Sequence, residues 1–169
     1  MNYYEGIKEE TSQLKDLILN YDSPLFIISR ISIEGFCASS IIVKILQRLN
    51  KNFSLTFFES TESKIKELSL NQNKKIVVID PRERDIKDLE KIKDKDFIVI
   101  TKTGYSVSEK VYTIAKEIDI KNTDLAYIPL FSLVNIKNNY LLLEAEESGK
   151  VKQVKGIKII GSNTRPIHK

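Results

Sequence analysis

A chain of 169 residues is long enough for one domain of ordinary size with a core of its own. Hydrophobic residues make up 41% and charged residues 30%, a globular balance, and six glycines with four prolines argue against long flexible linkers. One cysteine, Cys37, excludes an internal disulfide, and no apolar run approaches the ~18 residues of a membrane span. The stretch MNYYEGIKEE lacks the apolar centre of a signal peptide, so a cytoplasmic location is expected, with no membrane partner. A net charge of +4 with a pI near 9.0 permits an acidic partner, nucleic acid included. Most lysines are interleaved with acids, as in EKIKDKD (90–96), which reads as a solvated face.

Residues 3–21 place Ile7, Leu14, Leu17, Ile18 and Tyr21 at helical spacing, predicting an N-terminal helix (within 1–22) packed on the domain by one stripe. Asp22-Ser23-Pro24 breaks it. LFIIS (25–29) is then a continuous apolar run, the pattern of a buried parallel strand. Over 36–49 a helix is predicted with Ile42, Ile45, Leu46 and Leu49 inward and Lys44, Gln47 and Arg48 outward. Small residues Ala38, Ser39 and Ser40 bring its first turns close to the sheet. Cys37 falls in this helix and reads as core.

The alternation continues with a strand at 54–60, a short helix at 63–70, a strand at 75–80, a helix at 86–92, a strand at 97–101 and an amphipathic helix at 107–118. Pro81-Arg82-Glu83-Arg84 reads as a surface turn. Beyond residue 120 the apolar stretch 123–136 predicts a buried helix interrupted near Pro129, 139–149 another helix, and 156–169 a last strand and tail. Strands alternating with helices imply right-handed crossovers. The fold class is therefore α/β, a mostly parallel sheet with flanking helices in a single domain spanning 1–169.

In such a sheet the carboxyl ends of strands 25–29, 75–79 and 97–100 share one edge. Arg30–Gly35, Asp80–Arg84 and Thr101–Gly104 then surround one crevice, where α/β proteins place ligands. A serine nucleophile has no histidine to activate it outside the tail, where His168 is the sole histidine and reads as inert.

The stretch FIISRISIEGFCASSIIVKIL resembles the first motif, H-x-D-x-D-G with its helix, of the DHH phosphoesterases, the RecJ-like nucleases. VVID (77–80) resembles their second motif and FIVITKT (97–103) the strand carrying the D-H-H triplet. LFSLVNI (130–136) resembles the fourth motif region, whose acid would fall at Asn135, and NTRPIHK (163–169) the segment leading towards the DHH-associated C-terminal domain. The similarity covers about residues 24–169. It implies a DHH-like domain lacking that C-terminal domain.

The departures matter most. In that family carboxylates and histidines hold paired divalent metals that activate water. Here the motif-one histidine is replaced by Arg30, its aspartates by Ser32 and Glu34, and the D-H-H triplet by Thr101, Lys102 and Thr103, while Gly35 and Asp80 remain. Two carboxylates cannot build two octahedral sites. These positions read as a vestigial site with no catalytic residue, no metal and no cofactor, in which Arg30 or Lys102 pairs with Asp80 or Glu34 in place of metal charge.

A DHH-like domain so altered resembles the non-catalytic RecJ relatives of replication, the eukaryotic cell-division-control subunit of the replicative helicase and its short archaeal counterparts. That resemblance implies a nucleoid-associated structural subunit binding the GINS complex and supporting the MCM helicase, with docking favoured in 124–145. The alternatives are a single-stranded DNA-binding module without nuclease activity and, last, an active metal-dependent phosphoesterase.

Overall fold

The computed structural model describes residues 5–60, 75–92, 95–133 and 139–152. In chain order these form α1 (Glu5–Asn20), β1 (Leu25–Arg30), α2 (Ile33–Arg48), β2 (Phe53–Phe58), β3 (Lys75–Ile79), α3 (Glu83–Leu89), β4 (Asp96–Ile100), α4 (Val107–Ile118), a 3-10 helix (Ile120–Leu125), α5 (Tyr127–Leu130) and α6 (Asn139–Glu147). The strands form one parallel sheet in the order β2-β1-β3-β4.

The apolar runs explain why β1 and β3 are central. Leu25, Ile27, Ile28, Ile76, Val77, Val78 and Ile79 are each at most 1% exposed, as strands covered on both faces require. On one face Leu25, Ile27, Val77 and Ile79 pack against α1, α2 and α4 through residues such as Leu14, Ile18, Ile41, Ile45, Val111 and Ile114. On the other face Phe26, Ile28, Phe58, Ile76 and Val78 form a smaller core with Leu89 of α3.

Most predicted elements appear within a few residues of their expected bounds. The helix expected at 36–49 begins at Ile33, because the Ser32 side chain accepts the Gly35 N–H and caps it. The strand expected at 54–60 ends at Phe58. Pro81–Arg84 is not wholly a turn. The Asp85 carboxylate accepts the Arg82 N–H at 2.9 Å, so Glu83 and Arg84 already belong to α3.

The single buried helix expected at 123–136 is not found over its described part. Asp119 caps a 3-10 turn by accepting the Lys121 N–H at 2.9 Å, and the Asn122 amide donates to the Ala115 carbonyl at 2.7 Å. These contacts hold 120–125 apart from α5. Pro129 does not interrupt a helix; it is the third residue of the short α5, where no N–H is required of it. The helix expected at 63–70, the strand and tail at 156–169, Asn135 and His168 lie outside the described residues. Among the described residues no helix is long and apolar enough to cross a membrane.

Candidate functional site

The chain goes from β1 through α2 to β2 on one side, and β3 then lies on the other side of β1. The order therefore reverses between β1 and β3. Above the carboxyl ends of those two strands the following segments diverge and leave the crevice in which open α/β sheets hold ligands. Arg30, the last residue of β1, and Asp80, the first after β3, stand on its two sides.

The two close on each other. Arg30 Nε donates to the Asp80 carbonyl at 2.7 Å, and its Nη2 forms a short ion pair with Asp80 Oδ2. Ser32 Oγ donates to the same carboxylate oxygen at 2.6 Å while accepting the Gly35 N–H at 2.9 Å. Asp80 is 5% exposed. A carboxylate so buried needs a compensating cation and donors, and here it has both. Its backbone is also special, with φ of 54°, a left-handed conformation that aspartate tolerates better than most residues. The Asp80 N–H donates to the Ile100 carbonyl at 2.9 Å, which ties this bend to β4.

Gly35 makes the crossing possible. A Cβ built there would stand 2.2 Å from the Arg30 carbonyl and 2.8 Å from Ser29 Oγ, so α2 opens closer to β1 than any side chain permits.

Glu34, from the first turn of α2, turns to α4. Its Oε2 accepts the Ser108 N–H at 3.3 Å and faces Ser108 Oγ at 3.1 Å, and its Oε1 lies 4.0 Å from Lys102 Nζ. Ser108 Oγ is also 2.6 Å from Ser132 Oγ. Ser132 Oγ also donates to the Pro129 carbonyl at 2.9 Å, and Ser108 Oγ lies 3.1 Å from Ser106 Oγ, so the single hydrogen of each hydroxyl has competing acceptors. Lys102 is well exposed, and its pair with Glu34 is looser than that of Arg30 with Asp80. The predicted juxtaposition is thus present geometrically: each of the two cations lies against a different acid. Of the triplet positions, Thr101 is half-buried and Thr103 accepts from the buried Lys110 Nζ at 2.6 Å.

Ser108, Ser132 and Lys110 were not singled out in the sequence. Ser106-x-x-Glu109 is a capping box with both bonds formed, and it could have signalled that α4 begins here and turns its first residues to the crevice. Cys37 is buried in α2; burial, with the Glu34 charge behind it, pushes its thiol above the ordinary range, so it is an inert core group.

No family model and no curated protein matches the sequence. Solved structures do match. RecJ in complex with Mn2+ from Thermus thermophilus superposes with a TM-score of 0.59 at 13% identity, over 83% of this chain and 26% of that one. Exonuclease RecJ bound to manganese superposes with a TM-score of 0.61 at 14% identity, over 83% of this chain and 47% of that one. The fold is RecJ-like: α/β, with a four-stranded parallel sheet and flanking helices among the described residues. The chain spans about a quarter to a half of the length of these structures.

Whether the residues at this edge suit a manganese ion follows from their donors. Asp80 is engaged by Arg30 and Ser32, and Glu34 by Ser108 with Lys102 beside it. Among the described residues no group of three or more histidines, cysteines, aspartates or glutamates is placed to hold an ion. Two carboxylates accompanied by two fixed cations do not fit a pair of hard divalent metals.

Proposed function

We propose that this chain is a non-catalytic RecJ-like domain, a structural subunit of the archaeal DNA replication machinery that binds the GINS complex and supports the MCM helicase. The observation that carries the non-catalytic part is the seating of Arg30 on Asp80 at the switch-point crevice. A guanidinium supplies charge and donors but neither polarises a water molecule to hydroxide nor exchanges ligands with a phosphodiester. The partners rest on the likeness of a DHH-like domain with Arg30, Ser32 and Lys102 in place of metal ligands to the non-catalytic replication relatives.

The single-stranded DNA-binding reading is less well supported. It asks for cations converging on a groove beside stacking aromatics. Arg30 is spent on Asp80, and Arg82 on Asp85 and the Glu59 carbonyl. Phe36 and Phe57 do lie together, with ring centroids 4.8 Å apart, but they pack on one another.

Two measurements test the proposal. Incubation with single-stranded DNA and manganese is expected to give no cleavage, and Asp80→Ala to change nothing; robust cleavage abolished by Asp80→Ala overturns it. Titration of the purified chain with GINS and with MCM is expected to give a stable complex with GINS. Binding to DNA alone, weakening steeply with salt, favours the DNA module instead.

A further inference from the structure

The opposite end of the sheet carries a second opening. A cavity of about 640 Å3 lies where the amino ends of β3 and β4 meet α1. One wall consists of Lys95, just before β4, and the first three residues of the strand, Asp96, Phe97 and Ile98, which follow one another without a gap. A cavity over one face of a strand is lined by alternate residues, so consecutive ones mark the backbone edge. β4 pairs with β3 alone among the described residues. Phe97, Ile98 and Val99 are only half-buried, whereas their register partners Ile76, Val77 and Val78 are at most 1% exposed.

We propose that the outer edge of β4, with the facing side of α1, is a docking groove for an extended segment of a partner protein, which joins the sheet as an additional strand. The proposal deepens the reading of this chain as a protein-binding subunit, on which it rests, by naming the surface. In a strand with one neighbour every second N–H points outward, and an extended backbone is what satisfies such a row. Leu17, Tyr21 and Ile98 offer apolar contact to alternate side chains of the incoming strand. The mouth carries Lys75 and Lys95 against Asp16 and Asp96, two charges of each sign. That pattern complements a polypeptide of mixed charge and gives a polyphosphate no net attraction. Four residues of edge span about 13 Å, so the inserted strand is short and belongs to a small interface.

The test is a display selection of random ten-residue peptides on the full chain, followed by amide hydrogen exchange. Selected peptides are expected to alternate apolar and polar residues, to slow those β4 amides that exchange fast in the free chain, and to lose at least tenfold in affinity on Asn20→Trp, which fills the groove from an exposed site on α1. Selection of no peptide, unchanged binding to the variant, or protection on another element overturns the proposal. So does a free chain whose β4 amides are all slow, since its own residues or a second copy would then fill the edge. GINS titrated in parallel separates the two ideas: binding that survives Asn20→Trp overturns the groove and keeps the subunit, whereas peptides that bind where GINS does not keep the groove and overturn that partner.

Discussion

Two ion pairs at opposite ends of the sheet show how differently the same chemistry is used. At the carboxyl edge Arg30 holds Asp80, whose side chain is 6% exposed, and the pair joins two central strands. At the amino edge Arg48, in the last turn of α2, grips Asp124 with both terminal nitrogens, at 2.9 and 2.7 Å, and also donates to Asn122, with both ionic side chains 39% exposed. The outer clamp has the better fork geometry. The inner pair matters more, because a carboxylate only 5% exposed has little water to fall back on when its partner leaves. A clamp positions; a buried pair is obligatory.

The comparison breaks most visibly at Arg30. Arg30→Met leaves Asp80 buried without its cation, an expected loss of about 3 kcal/mol by urea unfolding, at the low end for a broken buried pair because the arginine keeps 28% exposure. Adding Asp80→Asn to that variant removes the stranded charge while keeping a residue suited to the left-handed backbone, and is expected to restore most of the loss. If the single variant is as stable as the parent, the carboxyl edge is no more demanding than the outer clamp.

Next in size is Gly35→Ala. Its Cβ would meet the Arg30 carbonyl, so α2 must move off β1, at an expected cost of about 2 kcal/mol. The shift also drags Ser32 and Glu34 away from their partners, so Lys102→Ala should cost less in this background than in the parent.

The carboxyl edge was the more legible end of the molecule. The apolar runs 25–29 and 75–79, set between helical patterns, read as buried parallel strands, and parallel strands bring Arg30, Asp80 and Lys102 to one edge by topology alone. Residue type then pairs them, since a buried acid needs a cation. What sequence could not supply was which cation meets which acid, because that depends on rotamers and on Ser32 and Ser108 as additional donors. The amino edge was nearly illegible. Arg48 and Asp124 are 76 residues apart and look like any solvated charges, and the 3-10 turn that presents Asp124 arises from Asp119 and Asn122, whose side chains replace backbone bonds that a helical reading assumes.

Arg48→Ala is accordingly expected to cost at most about 1 kcal/mol, and the loss should shrink in 1 M salt, where the screening length is about 3 Å. The Arg30→Met loss should persist at that salt. Equal salt sensitivity in the two variants would show that the crevice is as open to solvent as the outer clamp.

The smallest expected effect is in acid. The hydrogen bond and charge of Arg48 hold the Asp124 carboxyl below the usual carboxylate range, with burial opposing, and the same bond pushes Arg48 further up. A carboxylate depressed in the folded state stabilises above its unfolded pKa of about 3.9, and that contribution fades as pH falls through the folded value. Arg48 stays charged throughout the accessible range, so the pair adds no slope between pH 6 and 9. Asp124→Asn should therefore lie a constant few tenths of a kcal/mol below the parent from pH 6 to 9, discounted for exposure, with the two converging below about pH 4. Curves that instead diverge in acid would mean that Asp124 is destabilised as an anion, and that the clamp opposes the fold it appears to hold.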